Sequence, residues 1–365
     1  MGLRPRAFTR RAFLALAAAA PVPAQTGKGT AFPSDWKHYS DPATELIVYR
    51  LTDPAWTSYL PSRRAAARRG NFLLFACDRT GSPQAFRMDL KTGETRQLTD
   101  AKALDPSSLT LAPDERSFLY FDGPSLKRVD LGNLREKDVY HATQGWEHCP
   151  GLSLSDDGRS AVMGERRQGG SRLRMVGTGR GNARTVTEPA AEISDPQVRP
   201  GRRLQVLYRI GGDVWLTDPD GRQNRKLVLA DGTTGPALWN PNGETILYLN
   251  FPADKTQLRA IREYNPDENQ DKLVARTSQF ANFAFNRNTS VFVGASRNAA
   301  SPTVLLLLRV TRREFTICEH AARDAAEVNL LFSPDSQIVY FQTDRHGKPA
   351  IYYVPVEKLV EQTEG

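Results

Sequence analysis

Arg79, Arg209, Arg297 and Arg345 each follow directly on an apolar run, at the end of FLLFACD, QVLY, VFVGAS and IVYFQTD respectively. A guanidinium presents its N–H donors in a planar fork that matches a carboxylate, so arginines gathered on one face would grip an anionic ligand. Taken singly, each is also explained as a solvated loop residue or as a partner of the nearby Asp78, Asp213 or Asp344. Arg63, Trp146 and His148 stand instead just ahead of apolar runs. His148 is suited to proton transfer, and Trp146 to stacking on a sugar ring or to filling a core. His148 and His346 are the two of five histidines that fall near the arginine positions, and none of the five has the spacing of a metal site. There is no nucleophile elbow and no glycine-rich phosphate loop. These residues describe a binding surface; they do not by themselves specify a reaction.

The elements that must position them follow from a repeat. An apolar strand, a turn rich in Pro, Asp, Asn and Gly, and a second apolar strand recur along the chain. Leu109–Asp114 leads to Phe118–Phe121, Leu152–Gly158 to Ala161–Met163, Leu238–Gly243 to Ile246–Leu249, and Leu331–Asp335 to Ile338–Phe341. Weaker copies lie at 63–75, 197–209 and 283–293. Asp, Asn and Gly accept the left-handed backbone of tight turns. The strands are short, with no long helical period between them. A third strand ending in a turn such as Asp89–Gly93, and then a fourth strand such as Glu94–Leu98, complete each unit. Seven units of about 40 residues predict an all-β fold, a seven-bladed β-propeller. The final unit lacks a fourth strand, and the matching string, Val48–Thr52, lies at the other end of the chain. The N-terminal strand is therefore expected to close the last blade and remove the ring's open edges. In such a ring the arginine loops and the starts of the inner strands, near Arg63, Ser107, Trp146–His148, Asp195, Pro236, Asn282 and Glu327, meet at one face around the central channel.

The 365 residues are 25% charged and 39% hydrophobic, ordinary for a globular protein. Arg4, Arg6, Arg10 and Arg11 precede an apolar run, Ala12–Ala20, and Val22-Pro23-Ala24 offers a cleavage site. This predicts a signal peptide of the twin-arginine type over 1–24 and a periplasmic or secreted protein. An extension over 25–44, a propeller over 45–357 and a tail over 358–365 would follow. The net charge is +8, and the leader carries four of the arginines and no acid, so removing it leaves +4. That balance suits an anionic ligand, whereas the scattered arginine pairs lack the aromatic-interleaved cluster of a nucleic-acid surface. No membrane span is expected in the mature chain. Cys77 lies within an apolar run, as a buried free thiol would.

Phe32-Pro33-Ser34-Asp35-Trp36, Tyr49-Arg50-Leu51-Thr52, Leu73–Ala76, Met88–Gly93, Gln97–Thr99, Pro113–Arg116, Val129–Leu131 and Gly347–Tyr352 together resemble the oligogalacturonate lyases over nearly the whole mature chain. The resemblance implies a seven-bladed propeller acting on pectin-derived uronate oligosaccharides by β-elimination. It implies a metal, typically manganese, on the uronate carboxylate, a histidine base and an assisting arginine. Aligned by the turns, the base position falls at Pro236, the assisting arginine near Asp213 and one metal position at Asn282. The paired histidines of the last blade fall at Glu327 and Asn329, with Asp324 just upstream. Asn282, Asp324, Glu327 and Asn329 are oxygen donors, and the cation they would suit is a hard one, Mn or Ca. Without the family's histidines, the other reading is a non-catalytic propeller of the TolB or WD40 kind that binds uronate oligosaccharides or an envelope protein.

Overall fold

The computed structural model describes residues 27–61, 64–201, 203–277 and 279–361. The leader over 1–24 and the candidate Arg63 lie outside the described residues. The strands assemble into seven separate antiparallel sheets, the blades of a β-propeller. The second strand of each blade is packed on both faces by neighbouring blades, which explains its unbroken apolar sequence. Phe72–Cys77 is buried at all six positions, and Val291–Ser296 likewise. Fourth strands are more exposed, as in Glu136–His141, where Val139 alone is buried. The turns between first and second strands repeat one device. The Ser155 hydroxyl donates to the Asp157 carboxylate at 2.6 Å and Gly158 takes a φ of 67°. Ser333 and Asp335 form the same bond in the last blade, where Ser336 takes the positive φ.

The ring closes as the sequence predicts. Ile47–Arg50 pairs with Ala350–Pro355, Tyr49 against Tyr353 and Arg50 against Tyr352, and the Tyr49 and Tyr353 rings stack at 4.5 Å. Val48 is fully buried among residues of the sixth and seventh blades. The segment before it is not a loose extension. Lys37–Ser40 adds a fifth strand to the closing blade, and Ala31–Phe32 pairs with Thr95–Gln97 to add a fifth strand to the first. The segment between them spans the seam, with the Trp36 indole N–H donating to Met88 Sδ at 3.3 Å. Asp41, 1% exposed, accepts from the backbone N–H groups of Ala43 and Thr44 and from Glu319 in the sixth blade.

Candidate functional site

In blades two to six the inner strand slips register close to its start. The shifts lie between Asp105 and Thr110, His148 and Leu152, Ser194 and Gln197, Thr234 and Ala237, and Phe280 and Asn282. Four of the five contain a proline: Pro106, Pro150, Pro196 and Pro236. Proline cannot donate to a ladder and is at home in a bulge, so the sequence itself sets the irregularity. The bulges turn side chains toward the channel mouth. There they enclose a cleft of about 550 Å³. Tyr59, Asp105, Ser107, Asp195, Asn282, Glu327, Asn329 and Gln342 supply its polar and aromatic wall.

Asn282, Glu327 and Asn329, expected from the alignment of turns, thus come to one cleft. Asp324 does not join them. Its carboxylate accepts the Ala326 backbone N–H at 2.9 Å and caps the short helix Ala325–Glu327. The Asn282 amide is engaged at both ends, Nδ2 donating to Val328 O at 3.3 Å and Oδ1 accepting the Phe283 N–H at 2.8 Å, and Asn329 Nδ2 donates to Leu60 O. Among the described residues no three His, Cys, Asp or Glu side chains gather as a metal site. A hard dication needs several charged or carbonyl oxygens converging, and Glu327 is the only carboxylate of the four that faces the cleft. These four residues by themselves do not make up a donor set for manganese or calcium.

Sequence reasoning missed Asp105. It accepts from Ser107 through both the backbone N–H at 2.9 Å and the hydroxyl at 2.8 Å, and its Oδ2 lies 2.9 Å from His148 Nε2. Burial opposes ionisation, but the hydrogen bonds from His148 and Ser107 hold its carboxyl below the usual carboxylate range. The His148 ring lies flat on Phe121, centroids 4.2 Å apart and planes within 1°. The Asp-Pro pairs at 105–106 and 195–196, each at an inner-strand start, were the available signal.

The arginines separate by role. Arg209, in the fourth blade, donates to Thr234 O and Gly235 O of the fifth, both at 2.7 Å. Burial pushes its pKa down, partly offset by Asp195 and Asp213. Arg345, in the seventh blade, donates to Glu319 O of the sixth. These two stitch blade to blade. Arg259 does the same between the fifth and sixth, donating to Phe280 O at 2.6 Å. Arg79 pairs with Asp35 at 3.1 Å, so its charge is answered within the chain. Arg297 is exposed, on the same face. Trp146 is not available for sugar stacking: it is 9% exposed, with Arg167 over its ring at 4.4 Å and Arg172 at 3.9 Å. Two guanidinium contacts on a buried indole leave no ring face for a ligand. Arg172 is held in turn by the fully buried Glu165 at 2.6 Å.

Two other histidines are structural. His346 Nδ1 bonds the Tyr352 hydroxyl at 2.8 Å. His320, 1% exposed, places Nε2 3.0 Å from Ser296 O and accepts the Ala322 N–H at Nδ1, a pattern that only the neutral ring satisfies. Burial lowers its pKa. The unfolded chain therefore binds the proton more readily, so this contribution to stability is present above about pH 6.5 and is lost as pH falls through the folded-state pKa. Melting temperature will fall on acidification below about pH 6.5, and His320→Gln will flatten that slope. An unchanged slope would show that His320 is not its source. Cys77, Cys149 and Cys318 are free and buried. Among the described residues no helix is long and apolar enough to cross a membrane.

A family model described as oligogalacturonate lyase matches residues 26–164, from the seam segment into the third blade. An oligogalacturonide lyase of Pectobacterium atrosepticum is 24% identical over 91% of this chain and 99% of its own. An oligogalacturonate lyase of Dickeya dadantii is 22% identical over 92% and 100%. A solved oligogalacturonate lyase in complex with manganese superposes with a TM-score of 0.85 at 24% identity, covering 90% of this chain and 98% of that one.

Proposed function

We propose that this chain, which belongs to the oligogalacturonate lyase family, binds pectin-derived uronate oligosaccharides across the channel mouth and, on its donor set, does so without manganese. The observation that carries this reading is the cleft itself. It lies where the inner-strand bulges converge, yet it offers amides and single carboxylates where a metal would need a converging set. Asp105, Asp195 and Glu327 are acceptors for sugar hydroxyls, and charge-assisted hydrogen bonds of that kind are the stronger ones. The exposed Arg297, with Arg209 and Arg259 on the same face, supplies positive charge toward uronate carboxylates. Only interactions with the ligand's own groups are needed for capture.

Export belongs to the same reading. A basic, then apolar leader at 4–20 supports release of the mature chain outside the cytoplasm, where pectin fragments are met. Mass spectrometry of the chain recovered from a periplasmic fraction should show its N-terminus near Gln25.

Calorimetric titration of the mature chain with oligogalacturonate should show binding of equal affinity in EDTA and in Mn²⁺. A tenfold or greater gain on adding Mn²⁺ would overturn the metal-free reading. Absence of binding under both conditions would overturn the ligand assignment.

A further inference from the structure

We infer that a second ligand cavity lies at the seam of the ring and takes a small aromatic carboxylate. It sits at the end of the inner strands opposite the cleft, beside the turn Ser333–Asp335, and does not depend on the oligosaccharide assignment. The cavity holds about 290 Å³. Trp36 of the seam segment, Arg68 and Leu90 of the first blade, Arg287 of the sixth, and Tyr340 and Tyr353 of the seventh all line it. Its walls therefore come from both ends of the chain, where the ring closes.

Tyr340 is 1% exposed, and among the described residues its hydroxyl has no hydrogen-bond partner. The oxygen is not sealed in the interior; it opens onto the cavity. An unpaired buried hydroxyl is costly, so this O–H is a donor placed for an acceptor inside the hollow. Burial, with the Asp335 charge adding to it, raises its pKa and keeps the proton in place. Arg68 and Arg287 are exposed at the rim, and among the described residues neither guanidinium has a carboxylate partner. Their backbones are anchored: Arg68 N–H donates to Glu115 at 2.8 Å and Arg287 N–H to the Ser336 hydroxyl at 3.3 Å. The nearby acids are spent locally. Glu115 accepts the N–H groups of Arg68 and Arg69, and Asp335 accepts from the Ser333 hydroxyl and the Gln337 N–H. The two guanidinium forks are thus left for a ligand carboxylate. Trp36, Tyr340 and Tyr353 form an aromatic wall that suits offset or edge contact with a flat ring. The volume lies at the small end of ligand cavities, about 300–1,000 Å³, and admits one ring with its acid group. A ligand seated there touches both sides of the seam, so it binds the closed ring alone and stabilises it by mass action.

The test titrates the mature chain with benzoate, with its neutral isostere benzamide and with monomeric galacturonate, read by calorimetry and by melting temperature. Benzoate should bind saturably and raise the melting temperature with its concentration, and benzamide should bind about tenfold or more weakly. The double variant Arg68→Gln, Arg287→Gln should lose benzoate affinity by about tenfold or more, and Tyr340→Phe by roughly 2–10-fold. Both variants keep side-chain bulk and break no ion pair, so their melting temperatures without ligand should stay near that of the wild type. The absence of saturable benzoate binding would overturn the inference. So would benzamide binding as tightly as benzoate, or benzoate affinity untouched in both variants. Galacturonate displacing benzoate would assign the cavity to sugar acids and overturn the aromatic class.

Discussion

A chain shortened to begin at residue 51 is expected to lose its native fold at room temperature, whereas one that begins at residue 41 is expected to keep it. The shorter chain lacks Ile47–Arg50, the fourth strand of the closing blade. It exposes one edge of Ala350–Pro355, a strand buried at four of its six positions, and it removes Val48 from the core shared by the sixth and seventh blades. It also removes Asp41, to which the Glu319 N–H is bonded. Burying a valine side chain is worth about 1.5–3 kcal/mol, and a stability of about 5–15 kcal/mol cannot absorb that loss together with a strand ladder and an opened edge. The longer chain loses the fifth strands, Ala31–Phe32 and Lys37–Ser40, with the Trp36–Met88 and Asp35–Arg79 contacts, and keeps the four-stranded closure. Circular dichroism melting and size-exclusion chromatography of the two truncations decide the matter. A cooperative, monomeric melt from the chain starting at 51 would show that the seam is not needed for the ring.

Arg172→Met is expected to destabilise the protein by about 3–5 kcal/mol, read as a shift in the denaturant midpoint. Glu165 is fully buried, and its close cation is Arg172 at 2.6 Å; Arg174 stands farther off at 3.8 Å. The Tyr140 hydroxyl donates to it at 2.8 Å. Removing the near guanidinium leaves a buried carboxyl without its close cation and takes one of the two guanidinium contacts from Trp146. Adding Glu165→Leu to the same variant should recover most of the loss, because replacing both members of a buried pair with apolar groups is often close to neutral. A shift below about 1 kcal/mol in the single variant would mean that Arg174 alone suffices.

The blades were legible because their signals are local: turns of Pro, Asp, Asn and Gly between short apolar runs, and a missing fourth strand whose match lay at Val48–Thr52. Residues 31–40 were not, since Ala-Phe and Lys-His-Tyr-Ser carry too little strand character to announce a fifth strand. They pair because an edge was waiting for them. Spacing located Asn282, Glu327 and Asn329 at the mouth because each sits at the start of an inner strand. It misjudged Asp324, whose side chain is drawn into a local helix cap, an interaction decided by backbone geometry two residues on. Arg209 and Arg345 sit on the expected face, yet their donors turn to carbonyls of the adjoining blade, a partnership between distant stretches of chain. Trp146 was read without Arg167 and Arg172, more than twenty residues away, which cover it. Asp105 escaped because a lone Asp-Pro looks like a turn until four blades are seen to place proline at the same bulge.

The seam also dictates a timetable. Ile47–Arg50 finds its partner in Ala350–Pro355, some three hundred residues downstream. During synthesis the early strand must wait with its hydrogen-bonding groups unsatisfied until almost the entire polypeptide has emerged. Contacts of such separation are the slowest to form. Blade one can fold on schedule, but the clasp is fastened last. Until then the nascent molecule is an open arc with two adhesive rims, and a chaperone or an export receptor acting near the N-terminus would meet that arc during translation and the finished ring only after release.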